Sequence, residues 1–214
     1  MAEENILKVV KEALERSPKR NFQQSVEIAI NLKDVDLTNP KNRLSEDVIL
    51  PKGRGKTLKV GVFATQEMQA KARAVADLVI PSEEIPKLAE DKVKAKKQVE
   101  AIDFFIAEAP LMAGVGKSLG VILGPRGKMP KPIPPGSDPA NVVANLKKTV
   151  KVRSKDRRTF QVPVGTSDMS AEDLAENIEA VLNRIRTKLE RGYQNIHTAY
   201  VKTTMGPAVK LDLR

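Results

Sequence analysis

The sequence predicts two domains, an α+β domain assembled from both ends of the chain and an α/β domain inserted between them. Strand-like alternation dominates the two ends, whereas helical patterns alternate with short apolar runs in the middle. Such alternation of strands and helices is typical of a small, parallel, doubly wound sheet. We expect the first domain to combine residues 1–65 and 154–214, and the inserted domain to span 66–153.

The amino-terminal end begins with an amphipathic helix over residues 5–16, where apolar side chains recur every three or four positions. Ser17 and Pro18 end this helix, because proline restricts the residue before it. In residues 25–32, SVEIAINL, apolar residues alternate with polar or small ones at the period of a half-buried strand. Two further strands are expected at DVILP and TLKVGVFA, separated by the basic, glycine-bearing loop PKGRGK.

The middle of the chain predicts four helices and three strands. The helical patterns are QEMQAKARAVAD, SEEIPKLAE, APLMAGVGKSL and DPANVVANLKKTV, and the apolar runs are LVIP, AIDFFIAEA and GVILG. Residues 123–136, LGPRGKMPKPIPPG, contain three glycines and five prolines, a composition that indicates a rigid, specifically shaped loop. This loop is either a structural connection or a stiff basic contact for a phosphate backbone.

The carboxyl-terminal end returns to strands. RRTFQVPVG predicts a strand, and Ser170 with Asp173 three residues later predicts the start of a long amphipathic helix. HTAYVKTT and AVKLDL then predict two strands around the tight loop Met205-Gly206-Pro207. Taken alone, that loop is an ordinary hairpin turn.

Composition favours a polyanionic partner. The 214 residues carry 37 Lys and Arg against 27 Asp and Glu, a formal charge of +10, and each neutralised phosphate releases counterions. Cysteine is absent, so disulfides and thiolate sites are excluded, and the single histidine, His197, cannot form a multi-histidine metal site. The chain also lacks a long apolar run and a signal-peptide core, so we expect a soluble cytoplasmic protein with no membrane contact and no cofactor.

A nucleotide-dependent enzyme is one alternative, because GVGKS at 114–118 is similar to part of a phosphate-binding loop. That motif requires a glycine five residues before Gly116, where this chain has Leu111. The dinucleotide fingerprint fails as well, since its third glycine falls one place late, at Gly120. We therefore expect no enzymatic activity.

Structured RNA is the nucleic acid that best fits the residues. The chain has only seven aromatic residues, too few for base-stacking platforms that hold single strands. It has no helix-turn-helix, zinc-finger or basic-zipper pattern that would indicate DNA.

Three segments, NFQQSVEIAINL, GPRGKMPKP and YVKTTMGPAVKL, resemble the L-one family of large-subunit ribosomal proteins. The resemblance extends from the first helix to the last strand, and Lys128 and Lys131 favour the archaeal-like form. It implies a split RNA-binding domain with an inserted Rossmann-like domain, located on the cytoplasmic ribosome. It further implies binding to the rRNA of the mobile stalk, contacts with other ribosomal components, help in releasing deacylated tRNA from the exit site, and repression of translation through the protein's own mRNA. We expect a monomer when the protein is free.

The resemblance also implies an RNA-binding surface, whose residues by position are Phe22, Glu27, Thr198, Thr204, Met205 and Gly206. Charge and proximity in sequence add Lys19, Arg20 and Lys202, and Thr203 adds a second hydroxyl to the last loop. The cations of the proline-rich segment, Arg126, Lys128 and Lys131, are candidates for a second RNA contact. The main alternative function is a free-standing translational repressor, which would remain at the top of a sucrose gradient instead of sedimenting with ribosomes.

Overall fold

The computed structural model describes residues 2–39 and 42–213 and contains two compact units. The terminal unit comprises residues up to Lys56 together with those from Lys148 onward, and the inserted unit spans Thr57–Lys147. The helices are α1 (Ala2–Glu15), α2 (Gln66–Arg73), α3 (Glu84–Glu90), α4 (Lys92–Ala101), α5 (Met112–Arg126), α6 (Pro139–Lys147) and α7 (Ala171–Lys188). The strands are β1 (Ser25–Leu32), β2 (Ser45–Ile49), β3 (Val60–Ala64), β4 (Leu78–Pro81), β5 (Phe104–Glu108), β6 (Lys131–Ile133), β7 (Thr149–Arg153), β8 (Thr159–Thr166), β9 (Ile196–Thr203) and β10 (Val209–Leu211).

The terminal unit is built on an antiparallel sheet in the order β10-β9-β1-β8. Burial alternates residue by residue along β1, as its sequence pattern predicts, and its apolar residues share one core with α1 and α7. A two-stranded sheet of β2 and β7 packs into the same core through its valines. Both helices therefore lie on one face of the main sheet, and the half-buried polar residues of β1 lie on the other face.

The inserted unit has a parallel sheet in the order β4-β3-β5-β6. All residues of β3 and β5 are buried, as expected for central strands covered on both faces. Two separate apolar cores contain the alternate residues of these strands, one core with α3, α4 and α5 and the other with α2 and α6. This arrangement is the doubly wound α/β architecture that the middle of the sequence predicts.

Several elements differ from the sequence predictions. GVILG is not a strand, because its residues continue α5, whose buried Val115, Leu119 and Leu123 recur every four positions on one helical face. α4 and β7 were not predicted, since the first is highly charged and the second lies within a basic run. The segment 123–136 is not a single loop, because it contains the end of α5 and the strand β6.

The predicted domain boundaries also differ from those of the structure. β3 pairs in parallel with β4 and β5, so residues 57–65 belong to the inserted unit. β7 pairs with β2, so residues 148–153 belong to the terminal unit. Strand pairing decides these boundaries, and it joins segments about a hundred residues apart in the case of β2 and β7.

Candidate nucleic-acid interface

The predicted RNA-binding residues of the terminal unit lie in three places that adjoin one another. They occupy the loop after β9 (residues 203–206, the 203–206 loop), the segment between α1 and β1 (residues 17–24, the 17–24 segment), and the face of the main sheet opposite the helices (the open face). The three further cations, Arg126, Lys128 and Lys131, lie in the inserted unit.

Hydrogen bonds attach the 203–206 loop to the start of β1. The Thr204 amide donates to the Ser25 carbonyl at 3.0 Å. The Thr204 hydroxyl accepts from the Ser25 amide at 3.0 Å and lies 3.3 Å from the Ser25 carbonyl. The hydroxyl therefore has a structural partner, so replacing Thr204 with alanine would disturb the strand end as well as any ligand contact.

Gln24 is the buried residue that joins the loop to the 17–24 segment. Its side-chain oxygen accepts from the Met205 amide at 3.0 Å, and its side-chain nitrogen donates to the Ser17 hydroxyl and the Pro18 carbonyl at 3.0 and 2.8 Å. The Ser17 hydroxyl is also 2.8 Å from that of Thr203. This network joins the two segments at several points, and each of its buried polar groups has a partner.

Sequence reasoning missed Gln24 and Ser17. A polar residue between a helix and a strand normally faces water, and the available signal was only that Gln24 stands immediately before the buried positions of β1. Thr203 also has a different place from the one expected. Its side chain is fully buried and its hydroxyl bonds with Ser17, so it supports the loop from within.

Gly206 is required for an internal reason. A Cβ at this position would lie 2.3 Å from the Thr203 hydroxyl oxygen and 3.5 Å from the Ser17 Cα. An added side chain would thus point into the protein, where nonbonded atoms need about 3.5 Å. Gly206 therefore meets a packing requirement of the loop itself, and its contact with RNA stays a prediction.

Two apolar side chains are exposed on this rigid base. Met205 and Phe22 each keep 53% of their surface exposed, although both are large and apolar. Lys19 and Arg20 are exposed beside Phe22 in the same segment. Exposed apolar groups next to cations form a surface suited to sugars and bases flanked by phosphates.

The open face continues this surface along β1 and β9. Glu27 and Lys202 are direct cross-strand neighbours and both are half-buried. Farther along, the Asn31 amide donates to the Thr198 hydroxyl at 2.6 Å and its oxygen accepts from Thr159 at 2.7 Å. Thr198 is thus held in a polar ladder across three strands, on the open face.

The cations of the inserted unit have partners within that unit. Lys128 donates to the carbonyls of Val99, Glu100 and Ile102 at 2.9, 3.3 and 2.5 Å, and so neutralises the carboxyl end of α4. Arg126 forms a salt bridge with Glu100 at 2.9 Å. Lys131 also has an interaction partner. These contacts favour the structural interpretation of the proline-rich segment over a second RNA contact.

Gly127 ends helix α5 within the same proline-rich segment. It adopts a φ of 65° at the end of α5, and its amide and that of Lys128 bond to the carbonyls of Gly124 and Leu123. This left-handed termination favours glycine because a Cβ would be strained there.

Other chemistry finds no support in the described parts of the chain. GVGKS lies within helix α5, so it does not form a phosphate-binding loop after a strand. His197 is exposed on β9. Among residues 2–39 and 42–213 there is no group of three acidic or histidine side chains placed to hold a metal ion. In the same residues, no helix combines the length and the hydropathy needed to cross a bilayer.

Comparison of the sequence with known proteins shows a family. Residues 10–207 match the ribosomal protein L1p/L10e family. The chain is 58% identical over 207 residues to the large ribosomal subunit protein uL1 of Thermoplasma acidophilum, covering 97% of this chain and 95% of that one. It is 55% identical over 212 residues to the uL1 of Methanocella arvoryzae, covering 99% and 100%. Both organisms are archaea, in agreement with the archaeal-like form predicted from the sequence.

Proposed function

The chain belongs to the ribosomal protein L1p/L10e family, and from this membership we propose that it is a structural constituent of the large subunit of the cytoplasmic ribosome. It acts by binding and not by catalysis. The terminal unit binds a structured hairpin of large-subunit rRNA in the mobile stalk, in contact with other ribosomal components. The free protein is a monomer.

The observation that carries this proposal is the hydrogen-bond network that holds the 203–206 loop. Gln24 and Ser17, both outside the loop, hold it through the Met205 amide and the buried Thr203. Met205 is left exposed on a base that is already ordered, so binding requires little further ordering of the protein.

The same surface supports two finer proposals. A stalk protein beside the exit site contacts deacylated tRNA and helps its release. An mRNA hairpin of similar shape competes with the rRNA for the terminal unit, and the protein then represses its own translation. Both partners are folded RNA. A chain with few aromatic residues and a net positive charge suits folded RNA better than single strands.

Met205→Asp tests the site. The Met205 side chain is half exposed, so the substitution should leave the free energy of unfolding within about 0.5 kcal/mol. RNA affinity should fall by roughly 30-fold, because about 2 kcal/mol of apolar burial is lost and a carboxylate meets phosphates. The measurement is fluorescence anisotropy with a labelled stalk hairpin of Thermoplasma acidophilum large-subunit rRNA.

Val93→Asp is the matched control. Val93 is an exposed apolar residue of α4, so this variant makes the same change of charge in the inserted unit. It should bind the hairpin as the unchanged protein does. Equal affinities for the two variants would remove the 203–206 loop from the RNA site.

A further inference from the structure

The loop between β2 and β3, residues 52–56 (the 52–56 loop, Lys-Gly-Arg-Gly-Lys), has a fixed conformation. Gly53 and Gly55 have φ angles of 72° and 67°, which residues with a Cβ rarely adopt. The buried side chain of Asn177 in α7 accepts from the Lys52 amide at 3.1 Å and donates to the Gly53 carbonyl at 2.8 Å. Its amide also donates to the Val164 carbonyl at 2.9 Å, so the loop is attached to both α7 and β8.

The charges of this loop are divided unequally. Lys52 lies 3.3 Å from Asp173 and 3.4 Å from Glu176, and these contacts, the Asp173 hydrogen bond first, raise the pKa of Lys52. Lys52 therefore forms ion pairs with two carboxylates of α7 that lie beside the loop. Arg54 and Lys56 have no carboxylate partner among the described residues.

Lys148 adds a third cation. Its side chain lies beside Gly53, where a Cβ would be 3.9 Å from the Lys148 Cγ, and its carbonyl accepts from the Leu50 amide at 2.9 Å. Lys148 is exposed and likewise has no acidic partner among the residues that the structure describes. Arg54 and Lys56 within the loop and Lys148 beside it are thus three cations without a carboxylate partner in the described part of the chain, and all three belong to the terminal unit.

The 52–56 loop lies at the same end of the main sheet as the 203–206 loop. Gly55 packs so closely on the end of β8 that a Cβ would lie 2.4 Å from the Thr166 hydroxyl oxygen. Thr166 is the cross-strand neighbour of Ser25, whose carbonyl accepts from the Thr204 amide. Two strand spacings therefore separate Thr204 from Thr166, a distance of roughly 10 Å.

We propose that Arg54, Lys56 and Lys148 form a phosphate-binding point for the backbone of the same RNA whose bases and sugars contact the 203–206 loop. This inference rests on the proposed RNA-binding function and extends its surface to β2, β7 and the edge of β8. The 203–206 loop supplies an apolar and hydrogen-bonding contact, whereas the 52–56 loop supplies charge without sequence preference.

The test is the salt dependence of binding to the stalk hairpin of Thermoplasma acidophilum rRNA. A triple variant, Arg54→Gln, Lys56→Gln and Lys148→Gln, removes the cations and leaves the Asn177 anchor and the Lys52 pairs in place. The slope of log affinity against log salt is negative, and each lost phosphate contact should reduce its magnitude by about 1, so a total reduction of about 3 is expected. Melting curves by circular dichroism establish that the variant is folded.

The control is the triple variant Lys92→Gln, Lys96→Gln and Lys97→Gln on the exposed side of α4, which has the same net charge. Its slope should stay within about 1 of the unchanged protein. Equal slopes for the two triple variants would overturn the inference while leaving RNA binding itself intact. Absence of hairpin binding by the unchanged protein would instead overturn the proposed function, and this inference with it.

Discussion

Gly206→Ala tests whether the glycine of the 203–206 loop is needed for packing or for contact with RNA. The new Cβ would lie 2.3 Å from the Thr203 hydroxyl oxygen, so one of them has to move by about 1 Å. Moving the hydroxyl breaks its bond with Ser17, a net loss of about 1 kcal/mol, and the crowding adds about 1–3 kcal/mol. We expect the free energy of unfolding to fall by about 2–4 kcal/mol and RNA affinity to fall with it.

Thr203→Ala is the compensating change, because it removes the oxygen that the new Cβ would meet. Alone it should cost about 1–2 kcal/mol through the lost hydrogen bond and buried methyl group. Combined with Gly206→Ala it should cost little more, which gives a coupling energy of about 2–4 kcal/mol in magnitude. Since the Cβ points into the protein, the double variant should regain RNA affinity together with stability.

The assay is urea unfolding followed by tyrosine fluorescence. The chain has no tryptophan, and its two tyrosines, Tyr193 and Tyr200, both belong to the terminal unit, so the signal reports that unit alone. Additive losses within about 0.5 kcal/mol would refute the packing argument. A double variant that is stable and still binds the hairpin weakly would show instead that Gly206 contacts RNA.

Three further predictions concern stability. Lys128→Met should destabilise the carboxyl end of α4 by about 1–2 kcal/mol without changing hairpin affinity, and amide hydrogen exchange in α4 measures this; unchanged exchange would contradict the capping argument. Asn177→Ala should cost about 3 kcal/mol in tyrosine-monitored unfolding, because three backbone groups, one buried and two partly buried, lose their partner. The hydrogen bond from Arg184, with help from Lys188, lowers the pKa of Glu46 below its usual 4.5, so its stabilising contribution is present above that pH and is lost as the pH falls further. Glu46→Gln should therefore flatten the loss of stability in acid, and an unchanged pH profile would count against the pair.

Local patterns were sufficient where the determining contacts are close in sequence. The alternation in β1 predicted both its limits and its buried face, which are confirmed. Ser170 and Asp173 predicted the start of α7, and the Ser170 hydroxyl does accept from the Asp173 amide. The failure of the GVGKS motif predicted that no phosphate-binding loop forms, and those residues are helical.

Local patterns failed where a short apolar run fits either a strand or a helix. GVILG consists of five apolar or glycine residues, a composition that suits a buried strand, yet Leu119 and Leu123 face the core from the same side of α5. Only the neighbouring α3 and α4, which pack against that side, decide the matter. The predicted boundary at the carboxyl-terminal end of the inserted unit differs from the structure for a similar reason, because β7 is recognisable only through its partner β2.

By itself the sequence determined the family, the two-domain α/β and α+β class, and the segments that carry the candidate interface. These depend on motifs and on periodicities that are written within a few tens of residues. Only the tertiary structure decided what each interface residue does: Thr203 supports the loop, Gly206 makes room for it, Gln24 holds it, and Lys128 caps a helix. The physical reason is that these roles are hydrogen bonds and contacts between segments up to 186 residues apart, and no local pattern records which distant group a side chain will meet.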